Sequence, residues 1–288
     1  MSFTEDLKNT FRGKNNGLMK LIVINVILFI AGNLYIGISK LSGYDSTLVY
    51  ELFGLSPALS FFLTHFWSIF TYMFLQIDVF HILFNMLWLY WMGQLFVEFI
   101  GSKQLISTYL LGGISGGILF LICGSVFPFS IAGMPLIGAS AAVMAIVVAI
   151  AFLIPNYTVQ VFLLGEVKLK YIALTSFVLT SIIDLYNNTG GKIAHIGGAL
   201  YGYLFIVQYR KGTDLGSFVN SIITWFEKLG KPRSKMNVVY KKRLSDEEYN
   251  MNKLAVEKRI NEILDKISRS GYDSLNKDEK EFLFKQGK

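Results

Sequence analysis

The chain has 288 residues, of which 53% are hydrophobic and only 16% charged, and its formal net charge is +7. Its mean hydropathy of +0.47 lies outside the range of ordinary soluble domains, in which about a quarter of the residues are charged. This composition excludes a soluble globular enzyme and predicts a polytopic membrane protein. The single cysteine, Cys123, excludes a disulfide framework and a cysteine metal site.

Six segments are apolar enough to be predicted as membrane-spanning helices across a hydrocarbon core of about 30 Å. They lie at about 19–39, 79–99, 104–126, 139–154, 169–186 and 193–210. Between the first two, "SPALSFFLTHFWSIFTYMFLQ" is rich in aromatic residues but interrupted by polar ones, which is typical of an interfacial loop. The predicted fold class is an all-α membrane protein: a bundle of six transmembrane helices with an interfacial first outer loop and a small helical soluble tail.

Changes in composition predict four regions along the chain. They are a cytoplasmic N-terminal segment (1–18), the six-span core (19–210), a basic linker (211–243) and a small helical cytoplasmic tail (244–288). The N-terminal segment is mixed in charge and predicts no removable signal peptide. In the tail, Val256, Ile260, Ile263 and Ile267 recur at the spacing of one helix face.

The distribution of lysine and arginine predicts that both termini are cytoplasmic, because cytoplasmic loops carry the excess of positive charge. The basic residues on that side are Lys8, Arg12, Lys14, Lys20, Lys103, Lys168, Lys170, Arg210 and Lys211, against Lys40 and Lys192 outside. The net charge therefore reports mainly topology, with contact to anionic lipid as a second role. The basic residues form no patch interleaved with aromatic residues, so nucleic acid is not an expected partner.

Four polar residues lie near the start of alternate predicted spans. His81 and Asn85 lie one turn apart on one face of the second, Ser140 opens the fourth and His195 opens the sixth. Alternate spans run in the same direction, so all four residues are predicted at similar depth near the outer leaflet. Polar side chains are costly in lipid and usually mark function there.

The fourth span is predicted to begin below the outer surface. From Ala139 to Pro155 it has roughly 16 residues, or about 24 Å, which is less than the ~30 Å core. Such a start needs a cavity lined by protein or water, and Gly133, Pro135 and Gly138 suit a re-entrant approach to Ser140.

These residue types point to acyl transfer. A serine hydroxyl becomes a nucleophile when a histidine takes its proton. The N–H groups at the start of a helix, with side chains such as those of His81 and Asn85, can stabilise the oxyanion of a tetrahedral intermediate.

Three motifs, "HILFN" at 81–85, "GAS" at 138–140 and "AHIGGALYG" at 194–202, together resemble the rhomboid intramembrane serine proteases. The resemblance covers roughly residues 10–210. It implies that Ser140 is the nucleophile and His195 the base, and that His81 and Asn85 form the oxyanion hole with the Ser140 backbone N–H.

The resemblance also implies that Gly198 and Gly202 let the sixth span pack closely against the fourth. Three positions differ from patterns common in that family. Ala141 follows the serine, Ser68 follows Trp67 in the first outer loop, and Met144 stands where some members have an aromatic residue.

The implied function is that of a serine endopeptidase that cuts single-span transmembrane proteins near the outer leaflet, without metal or cofactor. The expected location is a bacterial inner (plasma) membrane. The resemblance does not cover the tail, for which regulation, binding of a cytoplasmic partner and a role in assembly are all open.

Three other interpretations are open at this stage. Ser140 could be a small residue that serves helix packing. The chain could be an inactive relative that escorts membrane helices, although such relatives typically lack the serine or the histidine. A six-span transporter would be expected to carry intramembrane acids, and these spans have almost none.

Overall fold

The computed structural model describes residues 16–127, 135–161, 165–183, 188–229 and 246–286. These residues are mostly helical, and the chain forms two compact units, Met1–Lys231 and Pro232–Lys288. Most of the predicted N-terminal segment, Gly133 and the second half of the predicted linker lie outside the described residues.

The first unit is a series of helices with one β-hairpin. The helices are α1 (Gly17–Leu41), α2 (Leu48–Phe53), α3 (Leu59–Thr64), α4 (Ser68–Thr71), a 3-10 helix (Tyr72–Phe74), α5 (Val79–Phe99), α6 (Ser102–Val126), α7 (Ser140–Leu153), α8 (Leu169–Ser181), α9 (Thr189–Tyr209) and α10 (Ser217–Leu229). The hairpin lies between α7 and α8 and pairs β1 (Thr158–Val161) with β2 (Gly165–Lys168) in antiparallel register.

Each segment predicted to span the membrane overlaps one of the helices α1, α5, α6, α7, α8 and α9. Among the described residues, α1, α5 and α6 are long and apolar enough to cross a membrane, whereas α7 and α8 are apolar but shorter. Helix α8 ends five residues before its predicted end at 186. It stops because the N–H groups of Ile182 and Ile183 both bond to the carbonyl oxygen of Val178, which closes the last turn.

The aromatic segment 56–76 forms short helical pieces rather than one long helix. Side chains tie these pieces to their neighbours. Trp67 Nε1 donates to the carbonyl oxygen of Leu52 at 2.8 Å, and Thr71 Oγ1 donates to that of Phe53 at 2.9 Å. The Tyr72 hydroxyl donates to the carbonyl oxygen of Gly113 on α6 at 2.6 Å. The segment is therefore held against both α2 and α6.

Helix α7 lies in the centre of the first unit, since every residue from Ala141 to Ala151 is buried. Glycines on both flanking helices allow its close packing. A Cβ on Gly112 of α6 would overlap the Ala145 side chain, and a Cβ on Gly198 of α9 would overlap the Ala141 carbonyl oxygen. Close approach of backbones, which gains dispersion energy, is how helices associate where lipid removes the hydrophobic driving force.

Helix α10 lies inside the segment 211–243, where the sequence analysis predicted only a linker. Its first turn is fixed by the Asp214 carboxylate, which accepts from the Gly216 N–H at 2.7 Å and from Asn220 Nδ2 at 3.1 Å. Lys103 Nζ of α6 donates to Thr224 Oγ1 at 3.1 Å. The helix was missed because the basic residues that follow it dominate the composition of the segment.

Replacing Gly198 by alanine should destabilise the first unit. The new Cβ has no room beside the Ala141 carbonyl oxygen, so α9 must move away from α7. Overpacking of this kind costs about 1–3 kcal/mol of unfolding free energy. Thermal unfolding of the purified protein in detergent would measure the change as a lower Tm.

The matched control is Gly37→Ala, a glycine of α1 with nothing within 4 Å of its added Cβ. Alanine is the better helix former, so its Tm should stay the same or rise slightly. Equal losses of stability in the two variants would contradict the close packing of α9 on α7.

The second unit is a helical hairpin. Helix α11 (Asp246–Ser270) is joined through a second 3-10 helix (Tyr272–Ser274) to α12 (Lys277–Gln286). On α11, Ile263 is buried and Val256, Ile260 and Ile267 are half-buried, whereas the residues between Val256 and Ile260 are exposed. The predicted apolar face of this helix is confirmed.

The start of α12 is fixed by a reciprocal pair of hydrogen bonds. Asn276 Oδ1 accepts from the Glu279 N–H at 2.9 Å, and Glu279 Oε2 accepts from the Asn276 N–H at 2.8 Å. This is a capping box, which satisfies two N–H groups at the helix start. Lys266 Nζ of α11 lies 2.9 Å from Glu279 Oε2, and its hydrogen bond, together with that of the Asn276 N–H, holds the pKa of Glu279 below its usual value.

Glu279→Gln should loosen the first turn of α12 near neutral pH, because the ion pair with Lys266 is lost. A lowered pKa in the folded state stabilises that state above the unfolded pKa, and the stabilisation is lost as pH falls through the folded pKa. Hydrogen-exchange protection of α12 should therefore differ between wild type and variant near neutral pH and converge in acid.

The matched control is Glu281→Gln, which removes the ion pair of Glu281 with Lys285. This pair is more exposed than that of Glu279 with Lys266. Exposed pairs contribute little, so its protection should change less. A difference between wild type and Glu279→Gln that persists in acid would contradict the role of the charge.

Candidate active site

Ser140 is the first residue of α7, and the loop before it is anchored by backbone hydrogen bonds. Leu136 and Leu55 exchange N–H···O bonds of 2.8 and 3.0 Å, and the Gly138 N–H donates to the Tyr72 carbonyl oxygen at 2.9 Å. Gly138 has a φ of +114°, which side chains other than glycine rarely allow. The loop therefore turns sharply at Gly138 and leads directly into the helix.

The start of α7 leaves N–H groups available at Ser140. The first helical bond runs from the Val143 N–H to the Ala139 carbonyl oxygen at 2.9 Å. The N–H groups of Ser140, Ala141 and Ala142 precede it and have no acceptor within the helix. They lie at the positive end of the helix dipole, where negative charge is stabilised.

His195 of α9 makes a direct hydrogen bond to Ser140. Its Nε2 lies 2.7 Å from Ser140 Oγ, across 55 positions of sequence. Helix α9 begins after Asn188, whose left-handed backbone (φ 53°) turns the chain and whose side chain accepts from the Gly191 N–H at 3.2 Å. This cap sets where α9 starts and thus the depth at which it presents His195.

The second ring nitrogen of His195 is also bonded. Nδ1 lies 3.1 Å from the carbonyl oxygen of Thr180, in the last turn of α8. A carbonyl oxygen can only accept, so Nδ1 carries the proton and Nε2 is left as an acceptor facing Ser140. The end of α8 thus sets the tautomer that a general base needs.

Gly198 and Gly202 lie on the face of α9 that meets α7. A Cβ on Gly202 would overlap the carbonyl oxygen of Ala145, one turn further along α7 than the contact of Gly198 with Ala141. Both contacts are to backbone, so no side chain can move aside to relieve them. They set the distance between the two helices that carry Ser140 and His195.

His81 lies beside the loop that leads to Ser140. It is in the first turn of α5, where the Asp78 side chain accepts from the His81 N–H at 2.7 Å. Its ring packs on Gly138, since a Cβ there would be 2.9 Å from His81 Cε1. Asn85, one turn further along α5, is 7% exposed and donates from Nδ2 to Gln76 Oε1 at 2.7 Å.

The structure thus brings Ser140 and His195 into contact and puts His81 against Gly138. Among the described residues, no hydrogen bond joins His81 or Asn85 to Ser140. The arrangement provides a hydroxyl, a base of the correct tautomer and nearby N–H donors, which is the set of groups that acyl transfer requires.

The three positions that differ from the common pattern have simple surroundings. Ala141 is buried against Gly198, and Met144 is buried within the α7 core. Ser68 is buried with its Oγ unpaired among the described residues, while the Trp67 bond to Leu52 holds the loop at that point.

Two features of the site were missed by the sequence analysis. The Thr180 carbonyl oxygen is a backbone atom, so no residue type could reveal it. Gln76 and Asn25 are both fully buried polar residues, and polar residues in apolar segments were a signal that could have found them.

Comparisons with known proteins agree with the fold described above. The family model "Rhomboid domain" matches residues 63–211, just over half of the chain. A second model, a family of unknown function (DUF6576), matches residues 245–285 in the second unit.

A curated relative, "RHOMBOID-like protein 12, mitochondrial" of Arabidopsis thaliana, is 30% identical over 158 residues. The match covers 50% of this chain and 47% of the relative, so the chain spans about half the length of the curated relative it matches.

Proposed function

The chain belongs to the rhomboid family, and from that membership we propose that it is an intramembrane serine endopeptidase. Family and apolar helices together identify an integral membrane protein. Its proposed reaction is hydrolysis of a peptide bond in a transmembrane protein near the outer leaflet.

The observation that carries the proposal is the 2.7 Å hydrogen bond between His195 Nε2 and Ser140 Oγ. A serine used only for packing needs no such partner, and one inside a helix commonly bonds to its own backbone. Here the hydroxyl faces a histidine whose other nitrogen is bonded to the Thr180 carbonyl oxygen. This supports a nucleophile and base rather than two separate polar residues.

In the proposed reaction, His195 Nε2 takes the proton of Ser140 as Oγ attacks the carbonyl carbon of the substrate. The oxyanion that forms is stabilised by the Ser140 N–H and by His81 and Asn85. His195 then gives the proton to the leaving amine, and an acyl-enzyme ester remains. Water, deprotonated by the same nitrogen, then attacks the ester carbonyl carbon. The bond from that carbon to Ser140 Oγ breaks as Oγ takes the proton back from His195, and the carboxylic acid product is released.

We also propose that six helices cross the membrane, with both termini cytoplasmic, in a bacterial inner membrane. Helix α7 has 14 residues, or about 21 Å. Because it is surrounded by protein, it need not match the thickness of the lipid, and its start can lie below the outer surface. The name of the Arabidopsis thaliana relative assigns that protein to mitochondria.

The orientation predicts different reactivity for cysteines placed at the two ends of the bundle. Cys123, the single natural cysteine, is first replaced by serine. Tyr44→Cys, in the exposed loop after α1, should react with a membrane-impermeant maleimide in intact cells. Thr213→Cys, in the exposed turn after α9, should react only after permeabilisation. The reverse pattern would contradict the proposed orientation.

Cleavage of a single-span reporter by the purified protein in liposomes tests the activity. Ser140→Ala and His195→Ala should each lower kcat by at least ~10³-fold, since nucleophile and base act as a unit. The matched control is Ser115→Ala. Ser115 is also a serine between helices, with Oγ donating to the Gly197 carbonyl oxygen at 2.9 Å, but it lies outside the proposed machinery. It should keep most of the activity.

Cleavage that persists in Ser140→Ala would overturn the mechanism. If the wild type fails to cut, labelling by a mechanism-based serine-hydrolase probe separates the alternatives. An escort protein should not be labelled, whereas a protease given the wrong substrate should be labelled at Ser140.

A further inference from the structure

A chain of buried hydrogen bonds runs from α1 to Asn85. Asn85 Nδ2 donates to Gln76 Oε1 at 2.7 Å, and Gln76 Nε2 donates to Asn25 Oδ1 at 3.0 Å. Asn25 Nδ2 donates to the Leu21 carbonyl oxygen at 2.9 Å and to the Tyr109 hydroxyl at 3.0 Å. The chain links three elements, α1, α5 and α6, to the loop that contains Gln76.

These side chains are removed from solvent. Asn25 and Gln76 are 0% exposed, and Asn85 is 7% exposed. A buried amide that loses its partner has no water to replace it, and the desolvation cost is then fully felt. Each member of the chain is therefore bound to the orientation that its neighbour allows.

The direction of this series of hydrogen bonds is set by a backbone atom at its α1 end. The Leu21 carbonyl oxygen can only accept, so the Asn25 amide must turn its nitrogen towards it. The Asn25 side-chain oxygen then faces Gln76, and only the side-chain nitrogen of Gln76 can donate a hydrogen bond to it. The Gln76 oxygen is in turn left facing Asn85, and only the nitrogen of Asn85 can bind it.

The amide of Asn85 consequently has one allowed orientation. A flipped amide would put its oxygen against Gln76 Oε1, with two acceptors at hydrogen-bond distance and no proton between them. In the allowed orientation one N–H of Nδ2 goes to Gln76 and the second is left for another acceptor.

We propose that Gln76, supported by Asn25, is a positioning residue that fixes the Asn85 amide so that it offers an N–H to the oxyanion of the reaction. The inference rests on the proposed function, in which Asn85 belongs to the oxyanion hole. Gln76 does not touch the substrate. It acts by excluding the orientation in which the Asn85 carbonyl would repel the developing negative charge.

The location of Gln76 fits this role. It follows the 3-10 helix Tyr72–Phe74, and the Tyr72 carbonyl oxygen accepts the Gly138 N–H just before Ser140. The short segment 72–76 thus holds both sides of the proposed oxyanion hole, the Ser140 loop through backbone and Asn85 through a side chain.

The test is a double-mutant cycle on reporter cleavage with Gln76→Met and Asn85→Ala. Methionine is close to glutamine in shape but makes neither bond. Because an oxyanion-hole donor contributes about 10²–10³ in kcat, its misorientation should lower kcat by about 10- to 100-fold, with KM nearly unchanged. In the Asn85→Ala background, Gln76→Met should cause no further loss, since the group it positions is gone.

A second pair of variants removes the support one step further away. Asn25→Leu should lower kcat in the same direction and also have no effect in the Asn85→Ala background. The matched control is Asn33→Leu. Asn33 also lies on α1 and donates to the carbonyl oxygen four residues earlier, that of Phe29, but it makes no hydrogen bond to Gln76. It should leave kcat unchanged.

Equal losses of kcat from Gln76→Met in the wild-type and Asn85→Ala backgrounds would overturn the proposal, because they would show a general structural effect. If Gln76→Met fails to fold, the same comparison with Asn25→Leu decides the matter. Failure of the proposed function has a different signature: cleavage independent of Ser140, or no cleavage and no probe labelling in the wild type.

Discussion

The contact of α9 with the backbone of α7 is the constraint on which the rest of the structure depends. Gly198 and Gly202 lie against the carbonyl oxygens of Ala141 and Ala145, so the two backbones meet directly at these points. Only this spacing lets an imidazole on one helix reach a hydroxyl on the other. On the other side of α7, its alanine side chains pack directly against glycines of α6, which brings these two helices close together as well. The hydrogen bond between Ser140 and His195 therefore depends on these small residues as well as on the two side chains themselves.

Much of the fold could be predicted from the local sequence. Hydropathy located the helices of the six predicted spans to within a few residues, except at the end of α8. A continuous apolar stretch must be helical where lipid offers its backbone no other hydrogen-bond partners. The apolar face of α11 followed from its spacing in the same way. Among the described residues, length and composition together support three candidate spans, α1, α5 and α6. Helices α7 and α8 are too short, and α9 has 21 residues but is not among the helices that meet both criteria.

What the sequence could not provide were contacts made by backbone or across long separations. The β1–β2 hairpin has strands of only four residues, too short to give a periodic signal. Helix α10 does have an amphipathic pattern, which was overlooked beside the basic residues that follow it, and Asp214 and Lys103 bond to it. The contact of Ser140 with His195 was anticipated from motifs and common depth, but the Thr180 bond was not. Asn25 and Gln76 are separated by 51 positions, and nothing in either segment indicates the other.

Two orientations in this site, the tautomer of His195 and the direction of the amide chain, are both set by carbonyl oxygens, of Thr180 and of Leu21. A carbonyl oxygen belongs to every amino acid, so exchanging either side chain leaves it in place. Substitutions of Thr180, whose side chain is exposed, should therefore be tolerated, whereas those of the buried Leu21 would report its packing; neither result would reveal the carbonyl oxygen on which the site relies. The position of each carbonyl oxygen depends on the path of the main chain. An alignment of side chains among relatives therefore does not show it.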